Sequence, residues 1–127
     1  HSYVCEWVNL GANTNNSDLK NNYGPIRIQI GEDTVETGCQ FLGSMIGDYV
    51  RTGISTMLNT GTIIGLGANV YGAGFQPKYI PSFQWGNESK TKLDKFFDTI
   101  EILKKRRRES LSSSERALIS KLYEYSK

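Results

Sequence analysis

The chain has 127 residues, 38% of them hydrophobic, and a formal net charge of +2. That length suits one domain, which on folding buries roughly two thirds of the surface its unfolded chain exposes. No run of about twenty apolar residues occurs, which excludes a membrane-spanning helix, and no charged-then-apolar start reads as a signal peptide.

The chain opens on "HSYVCEW", without Met and inside a pattern already under way. The expectation is a fragment of a longer protein, with His1 open to being native or a tag remnant. In "VCEWVNLGANTN", Val4 and Leu10 lead two hexads, and Val8 and Thr14 take their fifth places. The polar run "NNSDLKNNYGP" (15–25) combines Asn, Gly and Pro without apolar pattern and predicts a loop. From 16 to 45 the beat blurs. Counting back from Ile46 gives Gln40, Thr34 and Ile28, with Ser44 and Gly38 as acceptable fifth residues. Counting forward from Ile30 gives Glu36 and Leu42, two residues out of phase. Either a corner is distorted or a loop interrupts the repeat.

The stretch "IGDYVRTGISTMLNTGTIIGLGANVYGAGF" (46–75) is the most regular. Taken in sixes, its first positions are Ile46, Thr52, Leu58, Ile64 and Val70; its fifth are Val50, Thr56, Thr62, Ala68 and Gly74. Second positions are mostly Gly or Asn, residues that tolerate unusual backbone angles. Its glycines exclude a helix, at about 1 kcal/mol each relative to alanine. A hexad repeat of this kind predicts a left-handed parallel β-helix: each unit gives one short strand and one corner, and aliphatic side chains stack inside as coils pair.

"QPKYIPSFQWG" (76–86) reads as an extended exit segment that packs its aromatics. These segments make up an expected β-helix domain over 1–86, followed by a helical extension over 87–127. Leu93, Phe96, Phe97, Ile100 and Leu103 fall at helical spacing. In a second helix, Ser112 and Glu115 are spaced as a capping box, with Ala117, Leu118, Leu122 and Tyr125 as its apolar face. The run "KKRRR" (104–108) between them is read as a solvated helix end, against a nucleic-acid patch; it lacks interleaved aromatics for stacking bases.

Chemistry is constrained by what is absent. His1 is the one histidine and stands at the frayed first position, so a multi-histidine zinc site is excluded and a Ser-His-Asp arrangement is not expected. No phosphate-loop motif occurs. Cys5 and Cys39 form no CxxC pair and are expected to be free thiols, which suits a cytoplasmic protein. No residue is singled out as catalytic and none as a metal ligand. What remains is a surface: the faces of a coil, and a polar loop with amides, an aromatic and a lysine suited to phosphate.

The linked order "NLGANT", "NNY" and "IGED" resembles the left-handed β-helix part of the sugar-phosphate nucleotidyltransferases, among them the bifunctional uridylyltransferase/glucosamine-1-phosphate acetyltransferases. The likeness covers about residues 4–86 and points to a variant group of Bacteroides-like bacteria. It implies a homotrimer that binds acetyl-CoA or another acyl-CoA between subunits and transfers the acyl group to an amino-sugar phosphate. Carried over by position, Asn9 would contact the acceptor sugar, and Ala12, Asn22, Tyr23 and Cys39 the acyl donor. The family's catalytic histidine falls upstream of this sequence, and Mg²⁺ belongs to a nucleotidyltransferase domain that it does not contain. The isolated fragment is therefore expected to be inactive. The other reading is a non-catalytic scaffold that trimerises and regulates that missing domain. Neither nucleic acid nor membrane is expected as a partner.

Overall fold

The structure is a computed structural model and describes residues 1–126. Two-residue strands recur along the coil: β1 (Tyr3–Val4), β2 (Asn9–Leu10) and β3 (Asn15–Asn16) make the first turn. A hairpin of β4 (Arg27–Ile30) and β5 (Asp33–Glu36) then leaves the coil. The second turn is β6 (Met45–Ile46), β7 (Arg51–Thr52) and β8 (Met57–Leu58). β9 (Ile63–Ile64) and β10 (Asn69–Val70) follow, then β11 (Tyr79–Ile80), β12 (Gln84–Trp85) and β13 (Ser89–Lys90). The chain ends in α1 (Leu93–Lys105) and α2 (Ser113–Tyr125).

The strands stack into a three-faced, β-helix-like coil. The first face runs β1-β6-β9-β11 and the second β2-β7-β10-β12, all parallel, with β13 added antiparallel at the edge. The third face is β3 beside β8, extended by a parallel bridge from Met57 to Phe75. Met45 pairs with Ile63 and Arg51 with Asn69, each three hexads apart. The coil runs past residue 75: Tyr79 pairs with Ile63, two residues short of three hexads. The exit segment is thus a further, tightened turn.

Inside, Ile46, Leu58, Ile64, Val70 and Ile80 form a ladder with Val50 and Ala68. Fully buried threonines satisfy their hydroxyls locally. Thr56 Oγ1 donates to the Gly53 carbonyl (2.8 Å) and Thr62 Oγ1 to the Asn59 carbonyl (2.7 Å), so a fifth-position Thr bonds back three residues. Thr52, the polar first position, accepts from the Gly11 N–H at 2.9 Å. Val4 and Leu10 lie on the end turn and are covered from one side, so each remains about half exposed.

Several sequence expectations need correcting. Asn15 and Asn16 belong to a coil strand, and the excursion spans 17–43, longer than the expected loop at 15–25. The hexad count through Ile28, Thr34 and Gln40 has no structural meaning. Ile28 and Thr34 pair within the hairpin, to Val35 and Gln29. Phase survives because Val4 and Ile46, partners on the first face, lie seven hexads apart. Second-position glycines also serve another purpose. At Gly65 a Cβ would lie 2.4 Å from the Ser82 nitrogen, so the residue is required by the close approach of the next turn, not by its backbone angle.

Left-handed backbone angles recur at the corners, at Asn13 and Ser55 between the second and third faces and as a full stack between the first and second faces. Trp7, Tyr49, Gly67 and Phe83 all have φ near +60 to +70°. The aromatic side chains project from that corner, and α1 docks there. Phe96 makes edge-on contacts with Phe83 (5.2 Å) and Tyr49 (5.9 Å), and Tyr123 of α2 meets Phe83 at 4.9 Å. The α1 stripe is as expected, with Phe96, Phe97 and Ile100 buried. The α2 face is not: Ala117, Leu118, Leu122 and Tyr125 are exposed, and Ile119 and Tyr123 pack inward with Glu115 one turn before. The reason is electrostatic. Glu115 faces the corner to meet Tyr49 and Lys104, and that rotates the helix.

Candidate functional site

Two grooves of similar size flank the coil. The first lies where the excursion leaves the third face, about 510 Å³, between Lys20 and Asn22 on one side and Asn59, Phe75 and Lys78 on the other. The excursion is shaped by its own polar side chains: Asn22 Oδ1 accepts from the Gly24 N–H (2.9 Å), and the Tyr23 N–H donates to the Lys20 carbonyl (2.9 Å). Lys78 crosses to the excursion and donates to the Arg27 carbonyl at 2.8 Å. Burial, then the charge of Lys20, lowers the Lys78 ammonium below its ordinary value. The Lys20 charge thus acts on Lys78, and an anion in the groove would offset it. Phe75, 62% exposed, offers a flat apolar ring at the rim.

The second groove, also about 510 Å³, separates the second face from α1. Outward residues on that face align in register as Asn9, Arg51, Asn69 and Trp85. Asn9 and Arg51 floor the groove beside the corner residue Trp7, and Arg106 and Arg107 line its far side. Burial lowers the Arg51 guanidinium below its ordinary value.

The residues expected to bind ligand are therefore divided. Asn22 lines the first groove; Asn9 lines the second. Tyr23 and Cys39 sit together at the neck of the excursion. Gln40 Nε2 reaches the Tyr23 carbonyl (3.3 Å), and the Cys39 carbonyl accepts from the Ile26 N–H (2.8 Å). Ala12 is exposed at the corner between the second and third faces, its carbonyl bonded by the Ser55 N–H. Lys78, Phe75 and Arg51 were not singled out from sequence, and Arg106 and Arg107 were read only as part of the solvated run at 104–108. Lys78 and Phe75 follow the end of the regular repeat, and Arg51 occupies the sixth place of a hexad, a position with no pattern of its own.

The run at 104–108 is divided as well. Lys104 is buried, donating to Glu115 Oε2 at 2.8 Å and lying 5.1 Å from the Trp7 ring centre. Tyr49 Oη donates to Glu115 Oε1. Burial, followed by that bond, pushes the Tyr49 phenol far above its ordinary value. The Ser112–Glu115 box is half-formed: the Glu115 N–H bonds Ser112 Oγ (3.1 Å), but its carboxylate is committed to the corner. His1 Nδ1 pairs with Asp18 at 2.7 Å on the exposed end turn. Among the described residues, Cys5 and Cys39 are free thiols, no cluster of three or more His, Cys, Asp or Glu is placed to hold a metal ion, and no helix is long and apolar enough to cross a membrane.

No family model matches the chain. Over 70 residues, 55% of its length, it is 33% identical to the bifunctional sugar-1-phosphate nucleotidylyltransferase/acetyltransferase of Sulfurisphaera tokodaii. The shared stretch is 18% of that relative's length.

Proposed function

We propose that the chain is the acyltransferase-like part of a sugar-1-phosphate nucleotidyltransferase, a left-handed β-helix that assembles as a trimer in the cytoplasm. It takes acyl-CoA in the groove beside the excursion and an amino-sugar phosphate as acceptor. The observation carrying this reading is the Lys20–Lys78 pair facing an exposed Phe75 beside Asn22. Paired ammonium groups suit the phosphates of a coenzyme, and the ring suits its adenine. The likeness to an acetyltransferase supports the same class.

In the transfer, the acceptor amine attacks the thioester carbonyl, the C–S bond breaks, and the amine's proton passes to a base as the thiolate leaves. The chain's contribution is to hold the donor. The one histidine, His1, does not line this groove and is not assigned as that base. Trimer formation is supported by the first face, whose outward ladder of Tyr3, Met45, Ile63 and Tyr79 is apolar. That same ladder favours the second reading, a scaffold without catalysis.

Titration calorimetry with CoA tests the proposal. Binding weakened about tenfold by Lys78→Gln is the expected result. No heat from either CoA or acetyl-CoA, with the trimer verified by sedimentation, overturns it. Turnover of glucosamine 1-phosphate and acetyl-CoA by the full-length protein would remove the scaffold reading.

A further inference from the structure

The second groove has a charge imbalance that the fold leaves uncorrected. Three arginines line it, and no carboxylate does. Elsewhere on the helical pair, two cations are matched: the buried Lys104 pairs with Glu115 and the exposed Arg116 with Glu101. Among the described residues Arg51, Arg106 and Arg107 form no ion pair. Arg51 lies on the coil between two neutral asparagines, Asn9 and Asn69, so its own ladder offers no counter-charge. A half-buried guanidinium without an anion is costly, and its planar fork is suited to bidentate contact with phosphate oxygens.

The rest of the groove adds a second preference. Ile102 is 65% exposed on its wall, beside Leu103 and the corner Trp7. An apolar side next to a cationic one fits a ligand with a ring at one end and phosphates at the other. The volume, about 510 Å³, exceeds what a single phosphate or sugar phosphate fills and lies in the usual range for small-molecule sites. The carbonyl end of α1 opposes an anion with roughly half a charge, which three guanidinium groups outweigh.

We propose that this groove binds a nucleoside diphosphate, with its phosphates on Arg51, Arg106 and Arg107 and its base against Trp7 and Ile102. The site is separate from the groove assigned to acyl-CoA and does not depend on that assignment.

The experiment is calorimetric titration of the full chain with UDP, GDP and inorganic diphosphate. At least one nucleotide is expected to bind about tenfold tighter than diphosphate. Arg51→Gln and Arg107→Gln are each expected to weaken it by about tenfold. Ile102→Glu should weaken the nucleotide as well. Lys105→Gln, on the same basic run but outside the groove, should leave affinity unchanged, and so should Lys78→Gln. Arg107 is exposed, so its variant remains informative if Arg51→Gln fails to fold. The proposal is overturned by absence of nucleotide binding, by diphosphate binding as tightly as both nucleotides, or by Lys105→Gln weakening binding as much as Arg107→Gln. A loss on Lys78→Gln would place the nucleotide in the other groove and likewise overturn it.

Discussion

Two corners of the coil begin from the same hexad geometry and end in opposite states. Between the first and second faces, Trp7, Tyr49 and Phe83 hold left-handed angles that cost non-glycine residues about 1 kcal/mol or more each. They are kept because Phe96, Ile100 and Ile119 bury the rings. After β3, the chain spends residues 17–43 on an excursion whose hairpin keeps Ile30 and Val35 in solvent. One departure from the repeat is a second core; the other buries Ile26 against the coil and leaves the rest of its hairpin largely in solvent. Local irregularity alone therefore does not mark a binding site. What separates the two is whether the displaced side chains find partners within the chain.

The helix-covered corner should be the more fragile. Glu115→Ala would leave the buried Lys104 ammonium without its carboxylate, at about 3 kcal/mol or more in a denaturant melt. The same residue sets an acid limit. Burial by itself would raise the Glu115 carboxyl, but hydrogen bonds from Lys104 and Tyr49 outweigh it and hold the group below its ordinary value. With the folded value depressed, this stabilisation is complete above the unfolded value, about 4.3, and is lost as pH falls through the folded one. Stability of Glu115→Ala should accordingly fall less steeply than that of the parent on acidification below that value.

Within the coil the contrast is between middle and end. Leu58→Ala, fully enclosed, should cost about 3 kcal/mol. Leu10→Ala, at the equivalent inward place of the end turn, should cost about 1 kcal/mol or less. Equal losses in parallel melts would mean that the end turn is packed in solution as tightly as the middle. Glycine gives a smaller version of this comparison. Gly65→Ala meets the Ser82 backbone at 2.4 Å and should cost about 2 kcal/mol. At Gly31, φ is +61° with nothing within 4 Å, so Gly31→Ala should cost about 1 kcal/mol from strain alone.

These differences also show what the sequence could reveal. The inward ladder from Ile46 to Val70 was legible because a parallel stack demands the same side-chain type at the same place in every turn. The excursion was legible as a loss of beat, but its length was not, since a seven-hexad spacing between Val4 and Ile46 hides it. The aromatic corner gave no sign. Trp7 and Tyr49 share a place in the hexad seven hexads apart, but Gly67 takes that place in the next turn and the shortened turn puts Phe83 out of phase, so the period does not show the three aromatics as a set. The α2 face was misread because hydrophobicity was counted without the pairing of Glu115 to Lys104 and Tyr49, which decides the rotation. Of the candidate sites, the polar loop with its lysine could be seen. The arginine groove could not, because Arg51 and Arg106 meet only through the docking of α1.

The excursion offers the smallest expected effect and the clearest separation of folding from function. Ile30 and Val35 occupy hairpin positions that an ordinary core would bury, yet both face solvent. The turn between their strands has Gly31 at positive φ in its first central place, the choice expected of a tight two-residue turn, and Arg27 and Glu36 pair across the open end at 2.6 Å. The base of the hairpin is anchored to the coil, where Ile26 is buried and Lys78 bonds the Arg27 carbonyl, but its outer end is specified by the turn and the cross-strand pairs. Replacing Ile30 and Val35 together with Thr, which retains β-branching on an exposed strand, should change the unfolding free energy by no more than about 0.5 kcal/mol. A loss several times larger would show that these side chains are covered in solution, and the contrast between a buried corner and an open one would have to be withdrawn.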